Sequence, residues 1–290
     1  MGGLRGLITG TCCAWALPAD PTSARIARQL YREAASEAGV AADLIYDGIT
    51  MVSELAANTL HAYEICCSRA SLLPQAAALP ELWLYLRGSG PGRELVCKVF
   101  DSLPGWKLGA APGHSPAQAP AQAVSGRGLQ VVNELSMGRW GHHLTRARLS
   151  RRRICGKAVW FALPAPSADG GGRDTDPGEG PAAGAAAIDA VGRCGRLSAR
   201  EASRELEAML AARGFGGRLV RADRPAGDMS VIWVSHGLTV WCARGAVSLT
   251  TPAGDSQQWS YADLVDVAER AVSMHEEIEH QAVPALAPRS

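Results

Sequence analysis

The sequence lacks the features that mark several classes of protein. No apolar run reaches the roughly 18 residues that a membrane-spanning helix requires. The formal net charge of +1 gives no indication of a nucleic-acid or membrane partner. Lysine is scarce, since the 290 residues include only Lys98, Lys107 and Lys157, and arginine carries almost all of the positive charge. We attribute that skew to the codon bias of a GC-rich genome.

Metal-ligand and disulfide patterns are also missing. The eight cysteines form two adjacent pairs and four singles, and no C-x-x-C spacing occurs. Neighbouring cysteines seldom ligate one metal, so free thiols in a cytoplasmic protein are the favoured interpretation. His61, His142 and His143 lack carboxylate or cysteine companions at metal-ligand spacing. The first stretch, MGGLRGLITGTCCAWALPAD, resembles a signal peptide only faintly, and a strand at about 11–17 fits better.

One stretch divides the chain into two parts. Residues 164–187 are almost all Pro, Gly, Ala, Ser and Asp, a composition that cannot form a packed core and that predicts a flexible linker. We therefore expect an N-terminal domain over 11–163 and a small α+β module over 188–280, each folding by itself. The second part shows no nucleophile–base pair, and we interpret it as a binding or dimerisation module.

Hydrophobic periodicity predicts the elements of the N-terminal domain. A helix begins at Thr22 or Ser23 and closes at Gly39, and a second helix covers about 41–61. ELWLYLRG and ELVCKVFD read as two strands joined by a glycine-rich turn, a third helix begins near Gly128, and two more strands follow. The sum predicts an α/β sandwich with helices on one face of a mixed sheet.

The C-terminal part reads as strands between two capped helices. Ser198 and Glu201 form a capping box, and alternating strands follow before a last helix. Trp233 and Trp241 alternate with apolar residues on a hairpin, which predicts core positions. Upstream, the five arginines of RARLSRRR at 146–153 predict a solvated hairpin, with a grip on an acidic partner or nucleic acid as the less favoured interpretation.

Three short motifs carry chemistry. Glu54 and Asn58 share one helix face with a run of apolar residues, and we expect both side chains to face inward, into a buried cleft. There an amide oxygen suits Mg²⁺, and a carboxylate one turn away can take a proton. Asp101 ends a buried strand and can accept from the exocyclic amine of a base. The glycines in 126–129 let the backbone approach an anion at a helix N-terminus. Each motif is weak alone, but their order and spacing together predict a nucleoside-triphosphate site.

On these motifs, residues 11–163 resemble the GHKL, or Bergerat-fold, ATPases, and within them the bacterial anti-sigma-factor serine/threonine kinases. SELAANTLHA resembles the N box of that family, VFDSLPG the G1 box, SGRGLQVVNELSMGRWG the G2 box with the helix after it, and GKAVWFALP the closing strand. The resemblance implies a Bergerat-type α/β sandwich that binds ATP and Mg²⁺. It also implies roles for single residues: Asn58 is the magnesium ligand and Glu54 the catalytic base. Asp101 binds the adenine amine, Gly105 serves as the G1 glycine, and residues 106–125 form the mobile lid. The residues around the phosphates are Gly126, Arg127, Gly128 and Leu129.

The function that the resemblance implies is an ATP-dependent regulator of transcription. Such a protein works in the cytoplasm and phosphorylates or sequesters a regulatory partner, which is a sigma factor or an anti-anti-sigma-like protein. Both a monomer and a homodimer are compatible with the sequence. A catalytically inactive interaction module is the alternative, because Leu103 replaces the G1 glycine and Ala158 a closing-strand threonine. An ATPase or sensor-kinase fragment is a weaker third interpretation, since no dimerisation helix with a phospho-acceptor histidine precedes the N box.

Overall fold

The fold is of the mixed α/β class, as the sequence predicts. The structure, a computed structural model, describes residues 11–69, 78–103, 128–166, 197–235 and 237–282. Within these ranges the α-helices are α1 Ser23–Glu37, α2 Ala42–Arg69, α3 Gly128–Leu135, α4 Ala199–Leu210 and α5 Leu264–Ala282. The strands are β1 Cys12–Ala16, β2 Glu81–Arg87, β3 Glu94–Asp101, β4 Trp140–Arg146, β5 Cys155–Pro164, β6 Val220–Asp223, β7 Met229–Ser235, β8 Leu238–Ala243, β9 Ala246–Thr250 and β10 Ser256–Ser260. None of the described helices has the length and apolarity needed to cross a membrane.

The N-terminal sheet has the strand order β1-β2-β3-β5-β4, and every described pair is antiparallel. The prediction of a mixed sheet was wrong, because β2–β3 and β4–β5 are hairpins whose short connections can join only antiparallel strands. One side of this sheet, here called the helical face, packs against α1, α2 and α3. Leu82, Leu84 and Leu86 of β2 contribute to that apolar core.

The other side of the sheet, here called the interface face, is covered by the C-terminal half. Trp83 and Tyr85, which alternate with the leucines of β2, are fully buried on this side, and Val265 of α5 packs there. The prediction of helices on one face only was therefore incomplete. Because β2 is apolar on both sides, it needs a second covering layer, and α5 supplies one.

The C-terminal half is a second antiparallel sheet with α4 and α5 packed against one side. Its strand order is β10-β9-β8-β7-β6. The predicted capping box of Ser198 and Glu201 is confirmed at the start of α4. Sequence periodicity missed β10, whose residues SQQWS are mostly polar and exposed and therefore give no apolar alternation.

The prediction that Trp233 and Trp241 are core residues was wrong. Their side chains are 43% and 37% exposed, on the outer side of the C-terminal sheet. Ile232, Val234 and Val240, their neighbours along the strands, face the core instead. Alternation identifies which residues share a side of a strand, but here both sides carry apolar residues, so it does not identify the buried one.

The arginine-rich segment joins the two halves of the molecule. Arg146 is buried and its Nε donates to Glu276 Oε1 at 2.7 Å, while Arg148 Nη1 donates to Glu269 Oε1 at 2.6 Å. Arg213 lies between the halves, 3.0 Å from Glu269, with its guanidinium 4.8 Å from the ring centre of Trp83. The prediction of a solvated hairpin holds for the exposed Arg151 and Arg152 and was wrong for Arg146 and Arg148. Arg153, although partly exposed, also pairs with Glu276 at 3.1 Å.

The boundaries of the two halves differ slightly from the predicted ones. β5 continues to Pro164, and the N–H of buried Ala165 donates to Arg93 O, so the first residues assigned to the linker belong to the sheet. The rest of the predicted linker, 167–187, lies outside the described residues. Strand β1 is confirmed, and α2 extends two turns beyond its predicted end.

Candidate functional site

The site begins with two polar residues on helix α2. The apolar residues Leu55 and Ala56 turn that helix toward the core, and this leaves Glu54 and Asn58 on its flank. Glu54 is half-buried and Asn58 is exposed, so the pair lies at the rim of the helical face and not inside it. The expectation that both side chains face a buried cleft was therefore too strong. A rim position is open to a ligand without a large desolvation cost.

The start of α3 lies directly against this pair. A methyl group built on the Cα of Gly128 would lie 2.8 Å from Oε2 of Glu54 and 3.2 Å from Nδ2 of Asn58. Only glycine therefore fits here without moving the Glu54 side chain. The first N–H groups of a helix have no partner inside it, so this contact places backbone donors close to a carboxylate and an amide.

Neither side chain of the pair is occupied by another part of the described chain. No described residue makes a hydrogen bond or ion pair with the Glu54 carboxylate or the Asn58 amide. Elsewhere the polar side chains of the same helix bond locally, as Ser53 does by donating to Ile49 O at 2.7 Å. The oxygens of the carboxylate and the amide are thus available to coordinate a metal ion or to accept a hydrogen bond from a substrate hydroxyl.

Asp101 ends β3 and is buried, as the strand pattern suggested. Its Oδ1 accepts from Lys157 Nζ and from the Leu103 N–H, both at 2.9 Å. Burial raises the pKa of Asp101, and the Lys157 ammonium and the Leu103 N–H hold back part of that rise. Asp101 therefore already has a cationic partner on the adjacent strand, which sequence reasoning did not predict.

Lys157, and not Ala158, is the closing-strand residue that reaches Asp101. The register pairs Asp101 with Lys157, and Ala158 packs with Trp83 and Phe100 on the interface face. Ala158, which stands where the family often has threonine, therefore lies on the other side of the sheet from Asp101, because successive residues of a strand point to opposite sides. The period-two alternation of β5 could have given this answer from the sequence.

The remaining predicted site residues divide into two groups. Gly105, Gly126, Arg127 and the lid at 106–125 lie outside the described residues. Leu129 is described, and its half-buried side chain packs against the core of the helical face. Leu129 can therefore contact a ligand through its backbone N–H, which lies in the first turn of α3, and not through its side chain.

The structure brings together part of the predicted set. Glu54, Asn58 and Gly128 meet between α2 and α3, here called the α2–α3 cleft. Asp101 has the same strand parity as Cys97 and Val99 and so points to the helical face, where α2 also packs. No described hydrogen bond or ion pair links Asp101 to the cleft. Among the described residues, no group of three or more His, Cys, Asp or Glu side chains is arranged to hold a metal ion.

Comparison with known proteins adds no family to this description. The chain matches no model of a known protein family, and no curated protein matches it either. The geometry of the site and the order of the three motifs are therefore the basis for assigning a function. They define a mixed α/β protein with an unpartnered carboxylate and amide at the start of a helix.

Proposed function

We propose that the α2–α3 cleft binds ATP with Mg²⁺ and that the protein is an ATP-dependent regulator of a partner protein. The contact of Gly128 with both Glu54 and Asn58 carries this proposal. Two motifs that are some 70 residues apart in the sequence, and that the resemblance assigns to one nucleotide site, meet there with no other described partner. Two motifs that bind one ligand must lie close together in the fold, and these two do.

The proposal extends to the type of fold. We infer that the N-terminal half is a Bergerat-type ATP-binding domain of the kind found in GHKL proteins. Three helices on one face of a five-stranded sheet support this inference, as does the position of Asp101 at the end of the central strand β3. The N-box residues lie on α2 and the end of the G2 box begins α3.

The donor chemistry of the cleft fits a magnesium–phosphate ligand. Asn58 would supply an amide oxygen to Mg²⁺, a hard cation that prefers oxygen ligands. The first N–H groups of α3, at Gly128 and Leu129, would bind phosphate oxygens, together with Gly126 and Arg127. Bound Mg²⁺ would supply charge neutralisation on the phosphates.

Glu54 is the residue we assign to proton transfer. It would take the proton from a serine hydroxyl of the partner as that oxygen forms a bond to the γ-phosphorus of ATP. The bond between the γ-phosphorus and the bridging oxygen breaks in the same step, and ADP leaves. The absence of a described bonding partner leaves the carboxylate available for this role.

The partner in this proposal is a regulatory protein, a sigma factor or an anti-anti-sigma-like protein, that is phosphorylated or sequestered. A second candidate function is sequestration alone, by a catalytically inactive module that acts by protein binding only. The ion pair of Asp101 with Lys157 favours this second candidate, because an adenine amine would have to share a carboxylate that a lysine already uses. Phosphate transfer separates the two candidates.

Calorimetric titration of the full chain with ATP, with and without Mg²⁺, tests the proposal. We expect binding that Mg²⁺ strengthens, and we expect Asn58→Ala to lose about tenfold in affinity only when Mg²⁺ is present. Gln29→Ala, which removes an exposed amide from α1, is the matched control and should bind as the wild type does. No heat of binding at millimolar ATP would contradict the proposal.

A further inference from the structure

A separate cavity lies on the interface face, between the N-terminal sheet and the C-terminal half. Its volume is 300 Å³, which is at the small end of ligand pockets at about 300–1,000 Å³. Strands β2 to β5 form one wall, and α5 and β10 form the other. The α2–α3 cleft is on the opposite side of the same sheet, so this cavity is no part of the proposed nucleotide site.

The cavity contains a buried lysine without a carboxylate partner. Lys98 is 5% exposed, and it makes no hydrogen bond or ion pair with any described residue. Its ammonium group lies over the ring of Tyr85, with Nζ 5.3 Å from the ring centre. Burial of an ammonium group without a counter-ion is costly, and burial lowers the pKa of Lys98.

The carboxylates near Lys98 are engaged elsewhere. Asp266 accepts from the Tyr85 hydroxyl at 2.8 Å, and Glu269 is held by Arg148 and Arg213. Glu269 and Asp266 attract the Lys98 ammonium only at a distance, and this attraction offsets part of the effect of burial on the pKa of Lys98. The counter-ion that would complete the site is therefore missing from the described chain.

The other walls add positive charge and a flat surface. Arg270 of α5 lines the cavity, is half-buried and forms no ion pair with a described residue. Two tryptophans line it as well. The ring of Trp160 packs on Gly141 and has the Arg87 guanidinium 5.2 Å from its centre, whereas Trp259 of β10 has no described cation over its ring. His143 is neutral there, because burial and Lys98 lower its pKa to about 3. Arg87 already pairs with Glu94 at 2.9 Å and with Asp266 at 3.7 Å, so the cations of the lining without an ion-pair partner in the described chain are Lys98 and Arg270.

We propose that this cavity binds a small organic anion, whose carboxylate or phosphate group pairs with Lys98 and Arg270 and whose planar body lies against Trp259. The charge excess selects an anion, and the ring surface selects a flat body over a bare inorganic ion. Because both halves line the cavity, such a ligand would also bind them to each other.

Titration of the full chain with benzoate, phenyl phosphate, inorganic phosphate and neutral benzamide tests this proposal by calorimetry. We expect benzoate or phenyl phosphate to bind about tenfold or more tightly than inorganic phosphate and benzamide. Lys98→Met should abolish that binding, and Arg270→Gln should weaken it about tenfold. Arg204→Gln, an exposed arginine on α4, is the matched control and should leave the affinity unchanged.

A spectroscopic measurement keeps the test independent of folding effects in the variants. The chain has only three lysines, so ¹⁵N labelling of lysine Nζ gives at most three signals, and Lys98→Met assigns one of them. The bound anion should raise the pKa of Lys98 in the wild type. The proposal is overturned if neither aromatic anion binds at millimolar concentration, if benzamide or inorganic phosphate binds equally well, or if the Lys98 signal does not change at saturation.

Discussion

The two faces of the N-terminal sheet contain polar residues in opposite situations. Across most of the interface face, charged side chains are buried and paired, as Arg146 is with Glu276 and Arg148 with Glu269. At the rim of the helical face, Glu54 and Asn58 have no described partner and lie where a side chain on Gly128 would stand. Paired charges fix the position of one half of the molecule on the other, whereas unpaired groups at a helix start are available to a ligand.

The contrast also separates structural residues from candidate functional ones. A buried carboxylate such as Glu269 often marks a functional site, but here its ion pairs with Arg148 and Arg213 explain why it is buried. Burial would raise the pKa of Glu269, yet Arg213, Lys98 and Arg148 outweigh burial and lower it to about 2. Lys98 is the exception on this face, and it is the residue on which the anion-binding proposal rests.

The largest effect on stability is expected from Glu269→Gln. This change leaves Arg213 and Arg148 without their shared carboxylate in a buried interface, which typically costs about 3–5 kcal/mol in free energy of unfolding. Glu279→Gln is the matched control, because Glu279 is on the same helix but 46% exposed, and it should change stability by less than about 0.5 kcal/mol. Urea denaturation of both variants measures the difference, and equal stabilities would show that the ionic network does not hold the halves together.

The same network predicts a smaller loss of stability in acid. The pKa of Glu269 is about 2 in the folded chain, below its ordinary value of 4.5, so its contribution is complete above pH 4.5 and is lost as the pH falls toward 2. The pKa of Glu276 is lowered as well, where the Cys155 thiol and Arg146 outweigh its burial. Denaturation curves between pH 6 and pH 3 should show this slope in the wild type, and Glu269→Gln should flatten it. If the free energy of unfolding falls equally steeply with pH in wild type and Glu269→Gln, Glu269 is not the source of the acid sensitivity.

At the opposite face, Glu54→Gln should affect chemistry and leave stability unchanged. Loss of the base should reduce phosphate transfer by about 100-fold or more, while ATP affinity stays the same because the carboxylate acts on the hydroxyl. Glu33→Gln, an exposed acid on α1, is the control. Equal transfer rates in wild type and Glu54→Gln would remove Glu54 from the mechanism. A wild type that binds ATP without any transfer would support the sequestration function.

A smaller effect is expected from Gly128→Ala. The added methyl group would displace Glu54 and crowd Asn58, so we expect about tenfold weaker Mg-ATP binding. Stability should be kept or slightly increased, since alanine favours a helix more than glycine does. Gly92→Ala is the control because its methyl group would meet open space. Unchanged ATP affinity in Gly128→Ala would separate the start of α3 from nucleotide binding.

Local pattern predicted most of the elements and the capping of α4. It did not predict which side of a doubly apolar strand is buried, as Trp233 and Trp241 demonstrate, or the polar strand β10. It also missed the cover on the interface face, because the acids of α5 and the arginines near 146 are more than a hundred residues apart. Such pairing depends on tertiary contact, which hydrophobic periodicity does not encode.

The candidate site was predictable where a motif is local. Four-residue spacing correctly places Glu54 and Asn58 on one flank of α2, and the motif order anticipated their meeting with Gly128. The partner of Asp101 was not anticipated, since Lys157 reaches it only through the β3–β5 register. Degree of burial was also misjudged for Asn58, because helix spacing defines a face but not its depth.

The central claim is that the metal and the phosphates of the nucleotide bind at the α2–α3 cleft and not in the cavity on the interface face. Mn²⁺, an oxygen-preferring substitute for Mg²⁺, broadens nearby NMR signals when it binds together with ATP. Titration of the ¹⁵N-labelled full chain with Mn-ATP should broaden the amide signals of Glu54, Asn58 and Gly128 most strongly, and those of Lys98 and Arg270 less. Strongest broadening at Lys98 and Arg270, or no broadening beyond that caused by free Mn²⁺, would contradict the account.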